Sequence, residues 1–393
     1  MFDTSSGAGV AADALIHTQR GLVPACEVVP GDTAFTFDEA TRAIRPTTVD
    51  QVYLLGLHPI VEVKVETRRL RVTPNAELVA LVDRRRPGRK RRRFRREWVR
   101  AGELARDAIV GVARKTPDAG VIQPLPVPTQ IRDRRARAVT FPLEADVDLM
   151  WWAGLYIGDG YIHHSHHRRR VEFAIPGTQP DLRDELADVS ERLFSVKARA
   201  RDQWRMVLPG IRIADFVITV GLGGKALEKR APSWVFTSPE KERLAFLGGY
   251  VDADGMVRTG ASRDMGATSA NRDLLDDIRR LAITCGIRTT RIWTFTGRHP
   301  TDPTRMMTGY RMQFSGDFDR VSCRAAQRQE RMHKRRWFHT NTCVGGTTVR
   351  SHTSEWLGFG GLDTRVDLGV LPSIGLKLDG GDGVVVDSVI VRI

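Results

Sequence analysis

Two nine-residue segments of the chain share one form. Trp152-Ala153-Gly154-Leu155-Tyr156-Ile157-Gly158-Asp159-Gly160 and Leu247-Gly248-Gly249-Tyr250-Val251-Asp252-Ala253-Asp254-Gly255 thin out to small residues and stop on a carboxylate and a glycine, 95 residues apart (254 − 159). If each is the C-terminal part of a helix, Gly154, Gly248 and Gly249, with Ala153, form a stripe nearly bare of side chains. Two such helices can approach more closely than the usual separation of about 8–10 Å. Gly160 and Gly255 fit the left-handed position that follows a helix end. Each motif precedes a charged amphipathic stretch, 181–194 or 271–285, and then a strand with shared wording, Trp204-Arg205-Met206 or Tyr310-Arg311-Met312. The repeat therefore predicts a domain of two similar halves around a pseudo-two-fold axis.

The terminal acids are the second constraint. A carboxylate is disfavoured at a helix C-terminus, where the dipole end is already negative, and two facing one another repel. A divalent cation between Asp159 and Asp254 resolves both problems, and Mg²⁺ (or Mn²⁺) takes carboxylates while keeping room for substrate phosphate. The main-chain carbonyls of Gly158 and Ala253 are further candidate ligands.

Charge points to the partner. The 393 residues hold 61 Lys and Arg against 47 Asp and Glu, a net charge of +14, which favours a polyanion such as nucleic acid. Ten of the thirteen residues from Arg84 to Arg96 are basic, namely Arg84, Arg85, Arg86, Arg89, Lys90, Arg91, Arg92, Arg93, Arg95 and Arg96. Pro87 and Gly88 break any helix there, so the segment reads as a phosphate-contacting loop. No apolar run approaches the roughly 20 residues of a membrane span, and the N-terminus has no secretory pattern. The expectation is a soluble cytoplasmic protein, nucleoid-associated through DNA. Cys26, Cys285, Cys323 and Cys343 are widely spaced and read as reduced thiols rather than a disulfide frame or zinc site.

The order of the text predicts an α+β chain with one domain inserted in another. Short strands separated by turn residues are expected at 14–18, 28–29, 33–37, 49–55, 60–65, 70–72 and 78–82, and short strands return after 337. The boundaries expected are 9–135 and 337–393 for a split β module, with 140–335 as the α/β insert.

The insert resembles the single-chain, two-motif LAGLIDADG homing endonucleases. The resemblance implies two αββαββα-type halves, a monomer bound to double-stranded DNA, and a metal-dependent double-strand break in a long target that promotes copying of a mobile genetic element. It assigns metal binding and phosphodiester hydrolysis to Asp159 and Asp254. Asp252 takes an earlier acidic position, where Ile157 stands in the first copy. Glu228-Lys229-Arg230-Ala231-Pro232 is similar to the family's Lys-x-x-Pro segment, so Lys229 is a candidate active-centre cation, and Lys334 is the candidate for the second half. The family's DNA-facing sheets place Arg168, Arg170, Lys197, Arg199, Arg201, Arg205 and Arg311 as DNA contacts; Lys197, Arg199 and Arg201 alternate as on one strand face. His163-His164-Ser165-His166-His167 lacks zinc spacing and reads as a DNA-facing loop. Gly221-Leu222-Gly223-Gly224-Lys225 departs from a phosphate-binding loop at Ile218 and Ala226.

The flanks resemble the Hint fold of inteins, through Gly9–Ile16, Pro30-Gly31-Asp32, Thr73-Pro74-Asn75-Ala76 and Asp382–Ser388. Gly9 stands where splicing needs a Cys or Ser nucleophile, Ala76 where it needs the activating histidine, and Asp387-Ser388 where a His-Asn pair should be. The reading is a splicing-inactive, Hint-like scaffold. The alternatives are a non-cleaving DNA- or RNA-binding protein of the same fold, such as a regulator or maturase, and an active self-splicing intein.

Overall fold

The computed structural model describes residues 7–85, 88, 92–118, 120–128, 139–165, 168–257, 265–298, 304, 306–315, 317–333, 343–344, 347–348 and 352–393. Contacts divide the chain into two compact units, 1–119 with 338–393, and 120–337. Residues 120–128, assigned from sequence to the β module, thus belong with the second unit; the Val121 and Leu125 amides donate to Thr237 O and Leu143 O. Among the described residues no helix is long and apolar enough to cross a membrane.

The first unit is all β. Its strands are β1 (Val10–Ala11), β2 (Leu15–Thr18), β3 (Gly21–Pro24), β4 (Thr33–Asp38), β5 (Ala43–Val65), β6 (Arg68–Val72), β7 (Glu77–Asp83), β8 (Phe94–Arg100) and β9 (Ile109–Ala113). Two differences from the sequence reading have local causes. Val28 and Val29 form no strand, because they leave a short 3₁₀ turn at Ala25–Glu27. The strands expected at 49–55 and 60–65 are one: Gly56 takes φ +85°, at a register shift opposite Ser373 and Ile374, so the ladder continues across what looked like a break.

The second unit opens with α1 (Val147–Asp159), β10 (Gly160–Ser165), β11 (Arg168–Phe173), α2 (Pro180–Phe194), β12 (Arg199–Ala200), β13 (Met206–Leu208), α3 (Ile211–Thr219) and the short α4 (Ser233–Thr237). The second half follows as α5 (Glu240–Asp254), β14 (Gly255–Val257), β15 (Met265–Ser269), α6 (Arg272–Thr284), β16 (Arg288–Thr289), β17 (Trp293–Arg298), β18 (Met306–Ser315) and α7 (Ala326–His333). The first unit then resumes with β19 (Cys343–Val344), β20 (Thr347–Thr348), β21 (Leu357–Leu378), β22 (Gly383–Val386) and β23 (Val389–Arg392). Its long sheet runs β3-β2-β22-β4-β5-β6-β1-β21-β9-β23-β7-β8, which interleaves strands from both chain segments.

The repeat is kept in the sheet registers. Gly160 pairs with Phe173 and Phe173 with Met206; Gly255 pairs with Ala267 and Ala267 with Met312. The sequence match of Met206 with Met312 is therefore a structural equivalence. Helix α1 starts where Asp146 accepts the Leu149 amide at 2.8 Å, as a capping acid should. Its aromatic side fills the first half's core: Trp152 stacks on Tyr156 and meets Phe173 and Phe194 edge-on, all fully buried.

Candidate active centre and DNA face

Helices α1 and α5 meet through glycine. A Cβ on Gly154 would lie 2.0 Å from Phe246 O, and one on Gly249 would lie 1.9 Å from Trp151 O. The contacts are reciprocal, because Gly249 is 95 residues from Gly154 (249 − 154) and Phe246 is 95 from Trp151 (246 − 151). Gly158 meets Ala253 in the last turn, where its Cβ would come within 2.4 Å of the alanine methyl. Gly248 departs from the expected stripe. It faces away from α1, against Ser322 O, where a Cβ would lie at 2.1 Å.

This close crossing delivers the two acids to one place. A Cβ on Gly158 would stand 3.5 Å from Asp254 Oδ2, so the second motif's carboxylate sits over the final turn of α1. Burial, and then repulsion from Asp254, push the Asp159 carboxyl up to about 7, against the attraction of Lys229 and Arg328. Asp254 is raised for the same leading reason, burial. The following glycines do not take the expected left-handed form: Gly160 has φ −83°, ψ 151° and Gly255 has φ −92°, ψ 167°. Both are extended because the chain leaves each helix straight into a strand. They stay small for contact: Cβ atoms there would strike Tyr156 and Val251.

Lys229 is buried, and its ammonium donates to Tyr156 O (2.9 Å), Ile157 O (3.1 Å) and Gly160 O (2.5 Å), at the end of α1. Burial lowers its pKa to about 8 despite Asp254 and Asp159. It acts on the two acids as a nearby positive charge, with its protons committed to carbonyls. Lys334 lies outside the described residues. The structure instead places Arg328 at the end of α5, donating to Gly255 O (2.5 Å), Asp252 O (3.0 Å) and Ala253 O (3.5 Å). Two of these acceptors are the repeat partners of those under Lys229, as 252 − 157 and 255 − 160 both equal 95. Arg328 is the second half's counterpart of Lys229 by its acceptors, and the sequence reading did not single it out. Its spacing of 99 residues from Lys229 (328 − 229) is near the 95-residue offset of the repeat, but an arginine does not match the lysine that the resemblance implies.

Asp252 is structural. It is 1% exposed and accepts from Trp151 Nε1 (2.8 Å), the Arg324 amide (2.7 Å) and the Ala325 amide (3.3 Å). Among the described residues no cluster of three or more ligating side chains occurs. Two carboxylates with raised pKa values beside helix-end carbonyls suit a hard cation that completes its shell with water or phosphate oxygens.

The expected DNA contacts divide into several groups. Arg170 and Arg201 both bind the Glu172 carboxylate, while Arg205 binds Asp202 at 2.6 Å. Arg199 and Arg311 are exposed on β12 and β18. Lys197 corrects the alternation argument: β12 holds only two residues, and Lys197 turns to Asp188 (2.9 Å) and Glu191 (3.7 Å) on α2. The backbone of Arg168 is in β11; its side chain, like Arg86, Arg89, Lys90 and Arg91, lies outside the described residues.

In the β7–β8 hairpin, Arg84 forms a two-pronged pair with Glu97 (2.7 and 2.5 Å) and Arg85 pairs with Asp83 (3.2 Å). Arg96 turns inward to Glu39 O at 3.0 Å. Arg92, Arg93 and Arg95 are exposed.

In the same unit, the Gly9 amide donates to Thr73 Oγ1 at 2.9 Å. A Cβ on Gly9 would lie 2.6 Å from Leu55 Cδ1 and 2.8 Å from Ile374 O. Asp387 and Ser388 are both left-handed, with φ 47° and 63°, and Ser388 Oγ lies 3.1 Å from His17 Nε2.

Comparison with known proteins gives one family match and several partial alignments. Residues 241–302, which contain the second motif, match the family model described as a LAGLIDADG-like domain. An iron-sulfur cluster assembly SufBD family protein of Mycobacterium leprae is 29% identical over 407 residues, covering 98% of this chain and 44% of that protein. A DNA polymerase of Thermococcus kodakarensis is 30% identical over 118 residues, covering 29% of this chain and 7% of that protein. The chain thus spans less than half the length of these curated relatives. Among solved structures, mesophilic variants of the homing endonuclease I-DmoI align with TM-score 0.30 and 15% identity, covering 45% of this chain and 92% of that one. A DnaB intein from Synechocystis aligns with TM-score 0.22 and 16% identity, covering 27% and 68%. Residues 241–302 are thus similar to a LAGLIDADG-like domain, and the unit that holds them lies in sequence between the two segments of an all-β module.

Proposed function

We propose that the protein is a site-specific DNA endonuclease whose centre is the Asp159–Asp254 pair, and that its β module is a Hint-like scaffold without splicing chemistry. The observation that carries the reading is the delivery of two carboxylates to one spot by helices that touch through Gly154 and Gly249. A fold that only bound DNA would have no use for two acids at adjoining negative helix ends.

Asp159 and Asp254 would hold a divalent cation, Mg²⁺ by the hardness of the donors, with the carbonyls of Gly158 and Ala253 beside them. Such a cation supplies Lewis acidity at a scissile phosphate. The chain's own residues do the rest. Lys229 and Arg328 offset the dipole ends of α1 and α5 and favour the ionised form of both acids, against the burial that raises their pKa values. The two halves serve one DNA strand each, and the basic sheet faces hold the duplex.

Splicing is disfavoured by the enclosure of Gly9. A side chain there, nucleophilic or not, would overlap Leu55 and the Ile374 carbonyl. Ala76 is fully buried where a histidine would be needed.

The test is to incubate the full chain with DNA spanning the uninterrupted insertion site, with Mg²⁺ and separately with EDTA. Two defined fragments with Mg²⁺ alone are expected. Tight, site-specific binding without any strand scission would overturn the enzyme reading, and ligated flanks after expression inside a reporter would overturn the scaffold reading.

A further inference from the structure

An acid lies at the centre of the first half's basic face. Strand β11 places Glu172 opposite Tyr161 on β10 and opposite Val207 on β13, and Val207 in turn faces Arg199 on β12. The neighbouring positions Val171 and Phe173 point into the core and are fully buried, so Glu172 points to the outer face. It is nevertheless 0% exposed, because the side chains around it close over it.

Two of those side chains, Arg170 and Arg201, are DNA contacts expected from sequence, and the third is Tyr161. Arg170 donates Nε at 2.7 Å, Arg201 donates Nη1 to both carboxylate oxygens at 2.5 and 2.7 Å, and Tyr161 donates its hydroxyl at 2.5 Å. Burial alone would raise the carboxyl; the hydrogen bonds from Tyr161, Arg170 and Arg201 instead hold it at about 2. Arg205, paired with Asp202, also bonds to Tyr161, which extends the network to a fifth residue. Among the described residues, Arg170 and Arg201 have no other side-chain partner, so their remaining guanidinium nitrogens are left for a ligand.

A buried acid on a DNA-facing surface weakens attraction to phosphate. What it provides is fixed geometry: two guanidiniums whose rotamers are set before DNA arrives. Guanine presents two acceptors, O6 and N7, that match an arginine fork, whereas phosphate accepts a cation in many poses. Among the described residues the second half has no such acid. In the equivalent row Met256 pairs with Gly266 and Gly266 with Gln313, so a glycine replaces the carboxylate.

We propose that Glu172 is a specificity-positioning residue, which pre-sets Arg170 and Arg201 as forks for guanine edges in the half-site read by the first half. The inference rests on the DNA-binding reading above. It makes the two halves unequal readers: the first fixed and ionic, the second lined by Met256, Thr268 and Gln313.

The test is selection of bound duplexes from a randomised pool by the full chain, with Ca²⁺ in place of Mg²⁺, comparing wild type with Glu172→Gln and Arg201→Lys. Wild type should enrich a site with guanines in one half. Glu172→Gln should lose preference at those guanines by at least about tenfold per position, equivalent to about 1.4 kcal/mol, and keep the other half-site. Its affinity for unselected DNA should hold or rise, and its salt dependence should steepen by about 0.9 per cation released. A purely structural role would weaken all positions alike, and that result, or an unchanged selected site, would overturn the assignment. Melting curves of both variants separate unfolding from altered selection. If wild type enriches no duplex, the DNA reading itself falls, and this inference falls with it.

Discussion

Arg230 binds Asp277 through two parallel contacts of 2.7 Å, Nε to Oδ2 and Nη2 to Oδ1. The Ala231 amide adds a third at 3.2 Å, and Asn271 Nδ2 donates to Lys229 O at 2.8 Å. The segment that puts Lys229 beneath the first motif is thus held by α6 of the second half. The converse also holds: Arg324, just before α7, reaches Glu185 and Asp148 in the first half at 2.8 Å, and the Ala326 amide donates to Asp181 at 2.7 Å. Each half's cation is positioned by the opposite half. Asp277→Ala should therefore cost about 1–2 kcal/mol of stability, since Arg230 is half in water, and should slow cleavage beyond that loss. Single-turnover rates well below the melting temperature check this; a rate equal to wild type would contradict the positioning role.

Removing either cation should affect chemistry more than binding. Lys229→Ala and Arg328→Ala are each expected to reduce cleavage by about 10²-fold, the scale of one lost electrostatic contact at a reacting centre. Arg328→Lys should recover part of the loss. Supercoiled plasmid separates nicked from linear product, and unequal loss from the two strands is expected for either single variant.

Metal binding should strengthen as pH rises through about 7. A carboxyl whose folded pKa lies above its unfolded value favours the folded state below the unfolded value and loses that contribution as pH rises toward the folded one. For Asp159 the window runs from the ordinary value near 3.8 to about 7. The metal-free chain should lose stability across it, and Mg²⁺ should raise the melting temperature more at pH 8 than at pH 6. Asp159→Asn should flatten both trends and abolish double-strand cleavage with DNA binding retained. Calorimetry at fixed Mg²⁺ across pH measures the first two, and a gel assay the third.

Glycine at the helix crossing should be irreplaceable. Gly154→Ala or Gly249→Ala drives a methyl into a main-chain carbonyl and is expected to cost about 3 kcal/mol, the upper end for overpacking. Gly297→Ala, with no atom within 4 Å of the added carbon, is the neutral control. Thermal unfolding distinguishes them; equal melting temperatures would remove the close-approach account.

The sequence text disclosed the repeat, the paired acids and the small residues because these follow directly from the 95-residue offset. Four features stayed hidden for physical reasons. Gly248 sits beside Gly249 in sequence, but adjacent helical residues point about 100° apart, so only one can face α1. Glu172 lies among arginines, and nothing in the order Arg168–Phe173 says that its charge is covered. Arg328 was hidden because its role depends on reach to carbonyls, which a guanidinium fulfils as well as an ammonium. The continuity of β5 was hidden because strands were expected to stop at 55 and restart at 60; Gly56 between them takes a positive φ beside a register shift, and the ladder runs on.

The enclosure of Gly9 limits what can stand there. With a leucine methyl and a carbonyl oxygen both inside 3 Å of where a first side-chain atom would be, Gly9→Ser or Gly9→Cys requires Leu55 to swing away and the backbone at Ile374 to withdraw. The strand that closes over Gly9 therefore acts as a filter on this position: it admits a backbone without a side chain and strains against any residue that could supply a nucleophile.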